Sequence, residues 1–218
     1  MKKVLIMTMA IGMILTASLA QDNPDQQLQA AVARLGKATA VKDYRQLAID
    51  FAGIAAQQKN NWLSWYYAAF CNAKTGWLYE NDGERIEPFA NLADEQIKKS
   101  LSLLDTATQK KELSEVYCVL SMVNRAKVFI NPMTYGRQYG PVAGQYVQKA
   151  LALDATNPRA VYLAGWEKYA TPKMWGGDKK KAKELLEQSL QQLNAQGAAG
   201  TAPHWGKQEV EALLKKLK

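Results

Sequence analysis

PVAGQYVQKALALDATNPRAVYLAGWEKYATPKMWGGDKKKAKELLEQSL, residues Pro141–Leu190, contains three helical phrases separated by two breaks, and it sets the frame for the rest of the chain. A helix is expected from Pro141, a residue suited to a first helical turn, to Leu153. Asn157-Pro158 opens a second that runs to Tyr169, because Asn caps well and a Pro in the first turn loses no helical hydrogen bond. Thr171–Gly177 interrupts, and Asp178 caps a third helix that runs through Asn194.

Outward from this stretch the same ending recurs. Lys149-Ala150-Leu151-Ala152-Leu153 aligns with Lys99-Ser100-Leu101-Ser102-Leu103 upstream and with Gln188-Ser189-Leu190-Gln191-Gln192 downstream, each closing a helix. With Ile54 in the equivalent place of the helix Tyr44–Gln58, the spacings are 46, 50 and 39 residues. Small residues recur there because two antiparallel helices approach closely only where Ala, Ser or Gly faces the neighbour, and the apolar face left over is covered by the next pair. Apolar residues also recur at helical spacing in Pro24–Val41, Trp62–Trp77, Ala93–Leu104 and Lys110–Ile130, the last stopped by Asn131-Pro132. Met133–Gly140, with two Gly and two Tyr, reads as a loop, as does the polar YENDGERIEP segment. A last short helix ends at Leu217. No segment alternates as a strand does, so the class is all-α.

The stretch Ala143–Gly165 resembles the tetratricopeptide repeat family. Ala143, Val147, Ala150 and Leu151 stand at that family's second-helix packing positions, Gly165 at its first-helix glycine, and Asp154–Pro158 at its inter-repeat turn. The combination of NPMTYGRQYG, NPRAVYLAG and TPKMWGGDKKKAKELL is similar to exported bacterial tetratricopeptide-like proteins of uncharacterised function, over roughly residues 43–195. The TP-x-x-x-GG-x-x-x-x-A phrase is also similar to the periplasmic tetratricopeptide partner of some tripartite solute transporters. The resemblance implies a short right-handed α-solenoid of about four helix pairs plus a C-terminal capping helix. The spacings exceed the roughly 34 residues of the family's unit. The excess falls in residues 78–92, 131–140 and 171–177, all between the first and second helix of a pair, which stacking places on one edge. That edge carries Tyr135, Arg137, Tyr139 and Trp175.

Export is expected from residues 1–20, since Lys2 and Lys3 precede the apolar run Val4–Leu15 and Ala17-Ser18-Leu19-Ala20 supplies small residues for cleavage. The run is shorter than the roughly 20 residues that cross a bilayer. The remaining chain, 21–218, suits one domain in the periplasm or outside the cell. The net charge of +8 points only weakly to anionic partners, and nucleic acid does not fit an exported chain. Cys71 and Cys118 lie in apolar helical segments, where buried free thiols are the first expectation, and an oxidising compartment also permits a disulfide between them.

Familiar chemistry is missing. The one His is His204, and there is no C-x-x-C, H-E-x-x-H, G-x-S-x-G or P-loop, so no enzyme, metal or cofactor is expected. Glu112 and Glu115 share a helix face at a spacing typical of surface carboxylates, and the carboxylate of Asp178 already caps the helix that follows Gly176-Gly177. Carrying the family's register onto the first helices of each pair gives the residues that would line a concave groove. The candidates are Tyr66 and Phe70, then Met122 and Arg125, then Arg159, Tyr162, Trp166 and Tyr169. Aromatics and arginines of this kind anchor interfaces, so a peptide or protein partner is the first expectation. A small molecule or lipid, bound in association with a transport system, is the alternative. An aromatic stripe at helical spacing also serves as core if a short array closes on itself.

Overall fold

The computed structural model describes residues 23–80, 82–197 and 200–218, so the expected signal segment lies outside the described residues. Helices α1 (Pro24–Leu35), α2 (Val41–Gln57), α3 (Trp62–Leu78), α4 (Gly83–Ser102), α5 (Lys110–Ile130), α6 (Pro132–Leu153), α7 (Pro158–Ala170), α8 (Lys179–Gln196) and α9 (Lys207–Lys216) follow one another. They pack as the pairs α1·α2, α3·α4, α5·α6 and α7·α8, each pair against the next, with α9 against α8. This is the all-α solenoid expected from the repeat. Among the described residues there is no strand, and no helix is long and apolar enough to cross a membrane.

Asn and Asp side chains start the helices. Asn61 accepts from the Leu63 amide at 3.0 Å, Asn131 from Thr134 at 3.1 Å, Asn157 from Arg159 at 2.9 Å and Asp178 from Lys181 at 2.9 Å. The repeated small residues hold each pair together. Ser100 and Ser189 are fully buried on α4 and α8, and each donates to the carbonyl of the first residue of its partner helix, Trp62 at 2.9 Å and Pro158 at 2.7 Å. In the middle pair the direction reverses, with Ser114 of α5 donating to the Ala150 carbonyl at 2.9 Å. At Gly165 a Cβ would sit 3.1 Å from Leu186 and 3.2 Å from Leu185, so the glycine sets how closely α7 approaches α8.

Two expected loops are helical. Met133–Gly140 forms the first turns of α6, and residues 83–92 the first half of α4. In α6 the Asn131 cap and Pro132 at the first position start the helix at once. Tyr135 and Tyr139, one turn apart, meet at 5.6 Å, and Lys127 of α5 lies over the Tyr139 ring at 5.3 Å, so side-chain packing outweighs two exposed or half-exposed glycines. The excess length of the repeats is therefore taken up mostly as longer second helices. Thr171–Gly177 is irregular as expected, with a 3-10 turn at Lys173–Trp175.

The core is rich in buried phenols. Tyr44, Tyr66, Tyr67 and Tyr162 are all pushed above the ordinary tyrosine range, in each case chiefly by burial. A phenol with a raised folded-state pKa contributes stability that is complete below its unfolded pKa, about 10, and lost as the pH rises beyond it. The helical signal is thus expected to hold from neutral pH to about pH 10 and then collapse, with phenolate absorbance from these four appearing together with unfolding. Phenolate appearing well before the helix is lost would contradict that coupling.

Candidate functional site

The inward faces of α3, α5 and α7 do converge, but most of the expected groove is closed. Tyr66, Phe70, Met122, Arg159 and Tyr162 are each 3% exposed or less. The chain's own C-terminal segment fills the space before them. Trp205 stacks on Phe70 at 4.6 Å, meets Tyr162 edge-on at 6.3 Å and donates from Nε1 to the Tyr66 hydroxyl at 2.7 Å. Glu209 of α9 pairs with Lys74 of α3 at 2.8 Å. Tyr66 in turn donates to Glu115 at 3.1 Å, and Glu115 binds Arg159 through two bonds of 2.7 Å each. Burial opposes the charge on Arg159, but the Glu115 carboxylate more than reverses that and keeps the guanidinium firmly protonated. These residues form a structural spine that runs from α7 through α5 and α3 to the C-terminal segment.

The other three candidates, Arg125, Trp166 and Tyr169, lie further along the same faces, where α5 and α7 end, and remain partly exposed. Here the groove opens. Trp166 meets Trp77 at 4.9 Å and Phe129 at 6.1 Å, and Trp77 meets Phe129 at 5.7 Å, a three-ring cluster with one ring each from α3, α5 and α7. Trp77 is fixed by donating from Nε1 to the Met122 carbonyl at 2.8 Å. The Arg125 guanidinium lies over Trp166 at 5.0 Å. Among the described residues it has no hydrogen bond or ion pair. Burial lowers its pKa, countered by the charge of Glu167.

One turn on, Lys179 lies over the Tyr169 ring at 3.5 Å and donates to the Tyr169 carbonyl at 2.7 Å. Beside them the Thr171–Asp178 loop encloses an open cavity of about 620 Å³ lined by Tyr169, Lys173, Lys179 and Lys180. Gly177 holds the loop shut, because a Cβ there would run into the Thr171 carbonyl, and Gly176 takes the left-handed φ of 92° that turns the chain after the 3-10 turn. Met133 is 92% exposed, Met174 82% and Trp175 73%. Large apolar side chains this exposed, at the start of α6 and in the segment after α7, commonly mark a binding edge. Trp77, Phe129, Met133 and Met174 are absent from the sequence-derived candidates. The first two follow from extending the inward register, two turns past Phe70 and one turn past Arg125, whereas the exposed methionines have no periodic signal.

This edge combines flat aromatic faces, two exposed thioethers and an unpaired guanidinium beside lysines. It suits a planar apolar ligand that carries acidic groups. A second cavity of about 620 Å³ lies at the opposite end, where α3, α5 and α7 begin, but charged Lys111, Glu112, Glu115, Asp154 and Arg159 in its wall make it a poor place for a large apolar plane. His204 sits beside Gly36, with Nδ1 3.1 Å from the Ala202 carbonyl, and shares neither cavity. Cys71 and Cys118 are free and buried, and burial pushes both thiols up. Among the described residues no cluster of His, Cys, Asp and Glu could hold a metal ion.

No protein-family model matches the chain, and neither does any curated protein. Among solved structures, the HusA haemophore from Porphyromonas gingivalis is similar with a TM-score of 0.78 and 29% identity, over 90% of this chain and 94% of that one.

Proposed function

We propose that this protein is a haem carrier, binding the planar tetrapyrrole at the open edge formed by the ends of α3, α5 and α7. The likeness to a haemophore spans nearly the whole of both chains, and 29% identity extends it beyond bare fold. Export, expected from residues 1–20, fits a carrier that meets its cargo outside the cytoplasm. Peptide binding along the groove has less support, because Trp205 and α9 occupy the groove's centre.

Arg125 is the observation that carries the reading. A guanidinium withdrawn from water with no hydrogen bond or ion pair is costly, and the ring of Trp166 and the charge of Glu167 offset that only in part. A propionate of the bound macrocycle would complete it, while the ring system lies against Trp166, Tyr169 and Trp175. Lys173 and Lys180, at the rim of the adjoining cavity, would take the other acidic group. Met133, Met174 and Tyr169 carry the side-chain types at this edge that can ligate haem iron.

Haem titration followed by absorbance and by quenching of tryptophan fluorescence tests this directly. Saturable binding is expected, and Arg125→Met should weaken it about tenfold or more, the loss of one charge-assisted hydrogen bond. The same substitution should leave the thermal midpoint unchanged or raise it, since a desolvated cation is replaced by an apolar chain. Trp175→Ala, at an exposed position, should also weaken binding with no loss of stability. Absence of haem binding by the unaltered protein would remove the function, whereas binding untouched by both substitutions would move it to another site.

A further inference from the structure

The polar cavity at the opposite end of the solenoid has no role in haem binding as placed above, yet it is built from five separate parts of the chain. Trp62 and Leu63 come from α3, Lys111, Glu112 and Glu115 from α5, Asp154, Thr156 and Asn157 from the α6–α7 connection with Pro158 and Arg159 at the start of α7, and Gln192 and Gln196 from α8, with Thr201–Pro203 closing one side. Its volume of about 620 Å³ falls within the range of small-molecule sites, roughly 300–1,000 Å³.

Two groups in its wall are incompletely bonded. The side-chain oxygen of Gln192 is shielded from water and has no donor among the described residues. Arg159 is 2% exposed and uses three of its N–H groups, two on Glu115 and one on Gln196 at 3.0 Å, out of the five a guanidinium carries. The wall therefore has donors left over on a buried cation and an acceptor left over on an amide. Lys111 adds an unpaired ammonium among the described residues, and Glu112 and Asp154 add carboxylates, so both signs of charge face one space.

We propose that this cavity binds a small zwitterion with an apolar side chain, namely an amino acid or a peptide of a few residues. The ligand's carboxylate meets Lys111 and the free N–H groups of Arg159. Its ammonium is taken by Glu112 or Asp154, and rotation of the Gln192 amide brings that oxygen to it as well. Its side chain lies against Trp62, Leu63, Pro158 and Pro203. A dianion such as a phosphate monoester fits less well, because three carboxylates line the same wall and repel it. A purely apolar ligand leaves the Gln192 oxygen without a donor.

Calorimetric titration of the full chain with trileucine, with free leucine and with N-acetyl-trileucine amide tests the assignment. Saturable binding is expected for at least one of the first two, and capping both ends of trileucine should weaken it about tenfold or more, the loss of charge-assisted bonds at each end. A tighter trileucine assigns the site to short peptides and a tighter leucine to single amino acids. Lys111→Glu, at an exposed position, and Gln192→Leu should each lower affinity while the thermal midpoint and the haem titration stay unchanged. No binding of either zwitterion at millimolar concentration, or equal binding of the capped peptide, overturns the proposal. Either result leaves the haem reading standing, because the two sites share no residue.

Discussion

Arg159→Met is expected to lower the thermal midpoint by about 10 °C or more. The substitution leaves the Glu115 carboxylate buried without its cation, and breaking such a pair from one side costs about 3–5 kcal/mol. In a chain of this size each kcal/mol moves the midpoint by about 2–4 °C. Glu115→Ala should be at least as damaging, since it strands the guanidinium and also removes the acceptor of the Tyr66 hydroxyl. Replacing both, as Glu115→Leu with Arg159→Met, should recover most of the loss, because two apolar side chains of similar size avoid desolvating either charge. A double-mutant cycle by denaturant unfolding measures the coupling. If the singles lose little, or the double variant loses the sum of both, the pair is not the junction that the structure places between α5 and α7.

The part of the fold that sequence shows most clearly is the part built from local chemistry. Asn157-Pro158 and Asp178 are caps whatever surrounds them, and each starts its helix where expected. Ser100, Ala150 and Ser189 mark the close contact within pairs because helix approach constrains side-chain size directly. Met133–Gly140 was legible only in part. Its glycines argue for a loop, while the packing of Tyr135 on Tyr139 and of Tyr139 on Lys127 becomes evident only once α5 lies alongside.

The candidate site shows the same division. One helical register passes through Arg125, Trp166 and Tyr169 at the open end and through Tyr66, Phe70 and Tyr162 in the core. Which part of that stripe meets water is decided by residues more than 30 positions further on, since Trp205 covers one stretch and leaves the other bare. Periodicity identifies the face. It carries no information about a distant segment folding back across it, and the exposed Met133 and Met174 have no periodicity to report.

Trp205→Ala separates two meanings of that segment. If residues 201–217 were a detachable plug, removing the indole would cost little stability and would strengthen ligand binding by opening the groove. The structure favours the opposite. Trp205 is 8% exposed, stacks on Phe70, packs against Tyr162 and gives its N–H to Tyr66, while Val210 and Leu213 of α9 are buried in the same core. Its truncation leaves a cavity among large aromatics, at a cost of about 3–5 kcal/mol. It also removes the donor to the Tyr66 hydroxyl, whose own bond to Glu115 links it to the buried ion pair. The expected result is a large drop in the denaturant midpoint with haem affinity nearly unchanged under folding conditions, because the proposed site begins at Arg125 and Trp166, where α5 and α7 end. Trp205→Phe should keep most of the packing and lose only the hydrogen bond, about 1 kcal/mol. A Trp205→Ala protein that unfolds at the same denaturant concentration and binds haem more tightly would instead make the C-terminal segment a gate over the groove.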